Sequence, residues 1–171
     1  MKKRILTAVL AAALVTGTCA ATVSAKEEKA YTIGICQLVQ HDALDAATKG
    51  FEDAITKKMG DSVKFDEQNA QGDSNTCSTI INSFVSEGAD LILANATASL
   101  QAAAAGTSDI PILGTAVTEY GVALGIDDFD GTVGGNISGT SDLAPLDEQA
   151  DMLHELFPDA KNVGLLYCSA E

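Results

Sequence analysis

The sequence has no tryptophan and few other aromatic residues, five Phe and three Tyr among 171. Positive charge is also scarce, with 10 Lys and Arg against 24 Asp and Glu and a net charge of −14. Such an acidic chain is poorly suited to bind nucleic acid or anionic lipid. The sequence has two histidines, His41 and His154, and contains no GxSxG motif, so it lacks the signature of a Ser-His-Asp hydrolase. The composition therefore argues against nucleic-acid-binding proteins and hydrolases.

The N-terminal apolar run is too short to anchor the chain. Ile5–Val15 holds about eleven residues, whereas a membrane-spanning helix needs roughly twenty. Three basic residues precede it and Val23–Ala25 follows it, which is the layout of a cleavable export signal. We expect residues 1–25 to be a signal peptide and the protein to be exported, to the periplasm or the cell exterior. Cys19 leaves lipoprotein attachment open, although Thr18 stands where that signal prefers a smaller residue.

The four cysteines do not indicate a disulfide framework or a metal site. Loss of Cys19 with the signal leaves Cys36, Cys77 and Cys168, an odd number of residues that are far apart and lie in apolar segments. We interpret them as small buried hydrophobic residues, with redox or metal chemistry as the alternative.

Two groups of acidic residues are candidate metal sites. His41, Asp42 and Asp45 lie at a helix start, where capping and the helix dipole also favour them. The acidic turn at 127–130 lacks the alternate spacing and closing Glu of a calcium loop. We therefore predict no metal and no cofactor.

Strand and helix patterns alternate along the rest of the chain. Strands are predicted at 31–39, 62–67, 90–94 and 110–117, and helical stripes at 44–59, 77–85 and 99–105. A glycine-rich stretch at 121–139 holds two short predicted strands, 123–126 and 136–138. A helix then begins at Pro145 and ends before Pro158, and a last apolar strand covers 163–168. This alternation predicts an α/β fold with a parallel sheet flanked by helices.

Small polar residues cluster at the ends of predicted strands. They are Gln37 and Gln40, Asn69 and Gln71, Asn95 and Thr97, Thr115 and Thr118, and Ser141 and Asp142. In a parallel sheet these positions share one edge, beside the positive ends of helices. We predict that this edge binds a small ligand that carries a carboxylate and an amine, although such residues are also common in loops and at helix caps.

Several motifs in order carry a family resemblance. They read IGICQLVQHDALDAATKGFEDAI at 33–55, DEQNAQGD at 66–73, ADLILANATASLQAA at 89–103, DIPILGTAVTEYGVAL at 109–124 and NISGTSDLAPLDEQ at 136–149. Together they resemble the ABC-transporter substrate-binding family that includes tryptophan-type binding proteins. The family implies the type I periplasmic binding fold, in which two α/β lobes joined by three crossovers close on a ligand.

The resemblance assigns parts of the chain to that fold. It implies that 31–140 is lobe one, 141–162 is the hinge crossover with a helix towards lobe two, and 163–171 begins lobe two, whose remainder is missing. It implies ligand contacts at Gln37, His41, Asn69, Gln71, Thr97, Ser99, Thr118, Ser141, Asp142 and Glu171. Ser99 departs from the family, which commonly has proline there.

We therefore expect a solute-binding component of an ABC uptake transporter, a monomer without catalytic activity. Its partners would be an amino-acid-like ligand, with an aromatic amino acid favoured, and a membrane permease. Two alternatives are an extracellular sensor of the same fold that feeds a receptor, and a secreted enzyme, which the missing nucleophile disfavours.

The 171-residue chain is predicted to bind ligand weakly or not at all, because it would form only one wall of the cleft. Isothermal titration calorimetry against amino acids checks this expectation, and a micromolar dissociation constant for the 171-residue chain would contradict it.

Overall fold

The computed structural model describes residues 30–166. Its strands are β1 (Tyr31–Gln37), β2 (Val63–Asn69), β3 (Leu91–Asn95), β4 (Ile112–Val117) and β5 (Ile137–Ser141). Its helices are α1 (Asp42–Met59), α2 (Ser74–Glu87), α3 (Thr97–Gly106), α4 (Tyr120–Leu124) and α5 (Leu146–Leu156), with a 3₁₀ turn at Gly60–Ser62. Within this part of the chain, no helix combines the length and apolar character needed to cross a membrane.

The five strands form one parallel sheet in the order β2-β1-β3-β4-β5. Parallel neighbours need a crossover connection, and helices supply most of these crossovers. The α/β prediction is confirmed. The carboxyl ends of all five strands consequently lie along one edge, which we call the carboxyl edge.

The helix boundaries follow local capping chemistry. His41 caps α1 by accepting a hydrogen bond from the Ala43 backbone N–H, and Asp73 caps α2 by accepting one from Thr76. The α2 helix ends at Gly88, whose φ of 74° lies in the left-handed region that favours glycine. The predicted stop signals at Gly60 and Gly88 are therefore confirmed.

The interior strand β1, which lies between β2 and β3, is buried on both faces. Ile33 and Ile35 pack with Leu93 on the α1 side of the sheet. Cys36 joins the larger cluster on the other side, which residues of α2 and α3 complete. Burial on both faces explains why β1 reads as a nearly continuous apolar run.

The prediction of a strand at 123–126 is wrong. Residues 123 and 124 form the end of the short helix α4, and residues 125 and 126 follow it. The Glu119 carboxylate accepts hydrogen bonds from the backbone N–H groups of Gly121 and Val122, which starts the helix. Gly125 then ends it with φ 65°. The apolar run looked like a strand, but the capping carboxylate before it favours a helical turn. The other short strand, predicted at 136–138, is present as β5.

Residues 163–166 form no strand, contrary to the prediction for 163–168. Val163 and Leu165 are exposed. A strand requires hydrogen bonds to a neighbour, and residues 30–166 provide none for this segment. The remaining residues of that prediction, including Cys168, lie outside the described part of the chain, as do the signal peptide and Cys19.

Gly34 of β1 permits a close contact that a test can measure. A Cβ there would lie 2.5 Å from a ring carbon of Phe84, which is buried in α2. We expect Gly34→Ala to lower the free energy of unfolding by about 1–3 kcal/mol, because the packed ring has little room to move.

Gly50→Ala is the matched control, since a Cβ in mid-α1 would meet no atom within 4 Å. It should raise the free energy of unfolding by about 0.5–1 kcal/mol. Urea denaturation measures both changes, and equal effects for the two variants would contradict the packing argument.

Candidate functional site

The strand register places polar residues in a row along the carboxyl edge. Gln37 of β1 lies opposite both Asn69 of β2 and Asn95 of β3, and Asn95 lies opposite Thr115 of β4. Ser141 of β5 pairs with Val117 beyond a bulge in β4. The predicted convergence of polar strand ends is therefore present in the sheet.

Main-chain hydrogen bonds join the loops behind this row. The Leu38 N–H donates to the Asn95 carbonyl at 3.2 Å, and the Leu38 carbonyl accepts from the Gly72 N–H at 2.7 Å. The Ala96 N–H donates to the Thr115 carbonyl at 2.9 Å. The loops after β1, β2 and β3 thus support one another and the end of β4.

The Gln37 side chain serves the framework, since it is 2% exposed. Its Nε2 donates to Asp45 Oδ1 at 2.6 Å and to the Val39 carbonyl at 3.0 Å. Its Oε1 accepts from the Thr48 hydroxyl at 2.7 Å. Gln37, which was predicted to contact ligand, is therefore a buried residue whose side chain joins β1 to α1 by hydrogen bonds.

Asn95, absent from the predicted contacts, completes this buried polar network. Its Nδ2 donates to the Leu44 carbonyl and to Thr48 Oγ1, both at 2.9 Å, and lies 3.4 Å from Gln37 Oε1. Its Oδ1 is the one buried side-chain polar atom among residues 30–166 without a hydrogen-bond partner. Its position at a strand end was visible in the sequence, but its burial was not.

Three other predicted contacts lie at the surface of this edge. His41 is exposed, and its Nδ1 accepts the Ala43 N–H at 3.2 Å. Asn69 and Gln71 are also exposed, and the Asn69 carboxamide oxygen accepts the Gln71 N–H at 2.8 Å. Asn69 and Gln71 line an open depression of about 440 Å³ with Val39 and Gln40. Their side chains are placed where a ligand could reach them.

The start of α3 has no side-chain cap. Ala96 occupies the N-cap position with φ 87° and ψ 161°, a backbone region that is almost exclusive to glycine. Thr97 follows as the first helical residue and is half-buried. The first backbone N–H groups of a helix need acceptors, and no side chain of the cap residue supplies one here. An uncapped helix start of this kind is suited to an anion.

Ser99 does not lie at the surface, although it was a predicted contact. It is fully buried, and its Oγ lies 3.6 Å from both Cys36 Sγ and Cys77 Sγ. The interpretation of these two cysteines as buried residues is confirmed. Burial raises the pKa of the Cys36 thiol to about 12 and the neighbouring Cys77 adds to the rise, while the Ser99 hydroxyl opposes it.

Thr118, Ser141 and Asp142 meet at the far end of the edge. Ser141 Oγ donates to the Thr118 carbonyl at 2.8 Å, and the Asp142 N–H donates to the Val117 carbonyl at 3.2 Å. Thr118 and Ser141 open on a cavity of about 590 Å³. Its lining includes Tyr120, Phe129, Val133, Ile137 and Leu143.

Tyr120 forms part of the wall of this cavity. Its hydroxyl donates to the Thr140 carbonyl at 3.3 Å and lies against Gly114 and Gly139, where any side chain would collide with it. Burial raises the pKa of Tyr120, and the nearby charge of Asp142 adds to the rise.

The remaining predictions concern Glu171 and metals. Glu171 lies outside the described residues. Within residues 30–166 no group of three or more His, Cys, Asp or Glu side chains is arranged to hold a metal ion. Of the helix-start group considered as a metal site, His41 caps α1 and Asp45 accepts from Gln37.

Comparison with known proteins places the chain in a family. A family model described as ABC transporter substrate binding protein matches residues 32–171. The chain belongs to this family. A protein of Clostridioides difficile named tyrosine-binding protein is 45% identical over 147 residues, which cover 84% of this chain and 42% of that protein.

Two solved binding-protein structures share the fold. A substrate-binding protein with adhesive properties from Clostridium difficile, in its ligand-free, open form, is 43% identical with a TM-score of 0.68. An ABC domain in complex with L-Trp from Streptococcus pneumoniae is 34% identical with a TM-score of 0.75. Each match covers 82% of this chain and 48% of the other. The chain therefore spans about half the length of these relatives, and its sheet corresponds to one type I periplasmic-binding lobe.

The buried thiols of this family member should be unreactive in the folded state. We expect iodoacetamide to leave Cys36 and Cys77 unmodified at pH 8, because both are buried and the Cys36 thiolate is disfavoured. Mass spectrometry of the two peptides measures the labelling, with protein in urea as the control. Equal labelling rates in folded and unfolded protein would contradict the burial.

The same thiol gives a pH dependence of stability. Because folding raises the pKa of Cys36 from 9.0 to about 12, its contribution is fully present below pH 9 and is lost as the pH rises from 9 to 12. Urea titrations should therefore show the free energy of unfolding of the wild type falling relative to that of Cys36→Ala as the pH rises from 9 to 12. Below pH 9 the difference between the two proteins should not change with pH.

Proposed function

We propose that this protein is the extracytoplasmic solute-binding component of an ABC uptake transporter and that it captures an aromatic amino acid. The observation that supports this best is the row of polar strand ends beside the uncapped start of α3. In open α/β sheets, ligands bind outside the carboxyl ends of the strands. The family supports the transport role, with export and a membrane permease as partner.

The carboxylate of the ligand would bind at the start of α3. The backbone N–H groups there lack a side-chain cap, and the helix dipole favours negative charge. The corresponding start of α2 differs, because the Asp73 carboxylate already accepts the Thr76 N–H at 2.6 Å. Among these two helices at the carboxyl edge, α3 is thus the better site for an anion.

An aromatic side chain is proposed from the relatives and from the cavity nearby. One relative is named for tyrosine, and another was solved with L-Trp. Neighbouring strands lie about 4.8 Å apart, so the ends of β3 and β5 are separated by roughly 10 Å, close to the length of tyrosine. The cavity beside β5 has Tyr120 and Phe129 in its wall and is also lined by Thr118 and Ser141, which lie at the carboxyl end of that strand.

Ligand binding would favour closure of the two lobes, and no chemical reaction would be catalysed. A ligand favours the closed state when contacts from both lobes exist only there. The loaded closed form would then be the form that the permease accepts. We propose a monomeric binding protein without cofactor or metal, and without catalytic activity.

A ligand screen on the full-length protein tests this function. We expect L-tyrosine and L-tryptophan to raise the melting temperature most among the common amino acids, and calorimetry to give a defined affinity. Tyramine, which lacks the carboxylate, should bind much more weakly. Failure of every amino acid to bind would rule out the proposed function.

Thr97→Asp tests the assigned carboxylate position. A negative charge at the first residue of α3 suits the helix dipole but repels the ligand carboxylate, so we expect affinity to fall about tenfold or more while the fold persists. Ser74→Asp makes the same kind of change at the first residue of α2 and should alter affinity less than about twofold. Equal losses in the two variants, measured by calorimetry, would contradict the α3 site.

A further inference from the structure

Asn95 holds both ends of the segment between β1 and the first turn of α1. Its main-chain carbonyl accepts the Leu38 N–H at 3.2 Å, and its Nδ2 donates to the Leu44 carbonyl at 2.9 Å. The exposed His41 lies between these two points. One residue of β3 therefore fixes residues 38–44, which form the surface of the site on that side.

Asn95 also adjoins the other loop of the site. The next residue, Ala96, has φ 87° and is followed directly by the uncapped start of α3. The Ala96 N–H donates to the Thr115 carbonyl at 2.9 Å. The Asn95 side chain is thus the hydrogen-bonded link between the β1–α1 segment and the loop that leads into α3.

The orientation of the Asn95 carboxamide is fixed by its partners. Nδ2 faces two oxygens that can only accept, the Leu44 carbonyl and Gln37 Oε1. Exchanging the oxygen and nitrogen would bring like groups together and would lose these bonds. Oδ1 is consequently turned away from α1, and it has no partner among the described residues.

Stability alone does not account for an asparagine here. A buried acceptor without a partner is costly, and buried polar networks are commonly no more stable than well-packed apolar side chains. Three of the four buried polar residues among 30–166, namely Gln37, Thr48 and Asn95, nevertheless occur together behind the carboxyl edge. Such departures from an optimal core are expected at functional sites.

We propose that Asn95 is a positioning residue of the ligand site. It sets the β1–α1 segment, with His41, at a fixed distance from the start of α3, so that both contact the same ligand. The role rests on the proposed function, since it concerns the amino acid site at this edge. Asn95 itself is buried and acts through the loops that it holds.

Asn136 offers a matched control at the opposite edge of the sheet. Its Nδ2 donates to the carbonyls of Thr107 at 3.1 Å and Ile110 at 2.7 Å, so its carboxamide also holds a loop by main-chain hydrogen bonds. That loop leads from α3 into β4, at the amino ends of the strands. Both asparagines hold a loop through the carboxamide, but Asn95 lies beside the proposed site and is fully buried, whereas Asn136 lies at the amino ends of the strands and is half-buried.

The test compares Asn95→Leu and Asn136→Leu in the full-length protein, with Asn95→Asp and Asn136→Asp as a second pair. Calorimetry with L-tyrosine and L-tryptophan gives affinity, thermal unfolding gives stability, and hydrogen exchange gives loop order. We expect Asn95→Leu to weaken binding about tenfold and to speed exchange at residues 38–44. Asn136→Leu should speed exchange at 107–110, lower the melting temperature and change affinity less than about twofold.

The possible failures are distinct. Unchanged affinity in Asn95→Leu, with or without faster exchange, would overturn the positioning role while wild-type binding keeps the proposed function intact. Equal affinity losses in the Asn95 and Asn136 variants would show a general effect of stability and would also overturn it. An absence of binding by the wild type would overturn the proposed function and this role with it. If Asn95→Leu fails to fold, the same criteria apply to the Asn95→Asp pair.

Discussion

The parallel pairing of β1 with both β2 and β3 is the constraint on which the other features depend. It places Asn69, Gln37 and Asn95 opposite one another at one edge, although they are distant in sequence. A parallel sheet also requires crossover helices, and those that follow the strands begin at this same edge. Polar strand ends and helix starts are therefore brought together by the same hydrogen-bonding pattern.

Packing on the two faces of the sheet keeps this edge rigid. On one face, Gly34 allows the ring of Phe84 to approach the β1 backbone, so α2 lies close to the sheet. On the other face, Thr48 and Asp45 of α1 are hydrogen-bonded to Gln37. The first face is held mainly by apolar contact, whereas the second has a directional network close to the site. A network of this kind fixes positions more narrowly than apolar contact does.

Sequence patterns predicted the framework well where one physical signal dominated. The apolar run of β1, the stripe of α2 and the stop at Gly88 each gave the element observed. The pattern failed at 123–126, because a capping carboxylate at Glu119 outweighed a short apolar run. It failed again at 163–166, where an apolar run has no neighbour to pair with among the described residues. Short apolar runs do not distinguish a strand from a helix without such context.

The row of polar strand ends was predicted correctly, whereas the burial of its individual members was not. Strand-end position was enough to place Asn69 and Ser141 at this edge, because a parallel sheet must bring such positions together. It could not separate Ser99, whose side chain enters the core, from its surface neighbours. It also gave no reason to prefer Asn95 to other polar residues at strand ends.

The sequence by itself determined the order of the five strands and of α1, α2, α3 and α5, the acidic composition and the family, since these depend on periodicity, composition and motifs. The tertiary structure alone decided which polar side chains are exposed at the carboxyl edge and which are buried beneath it. That choice depends on contacts between residues as distant as Leu44 and Asn95, which local patterns do not encode. Gln37 and Asn95 are buried because α1 packs over the ends of β1 and β3, and the strand patterns contain no sign of that packing.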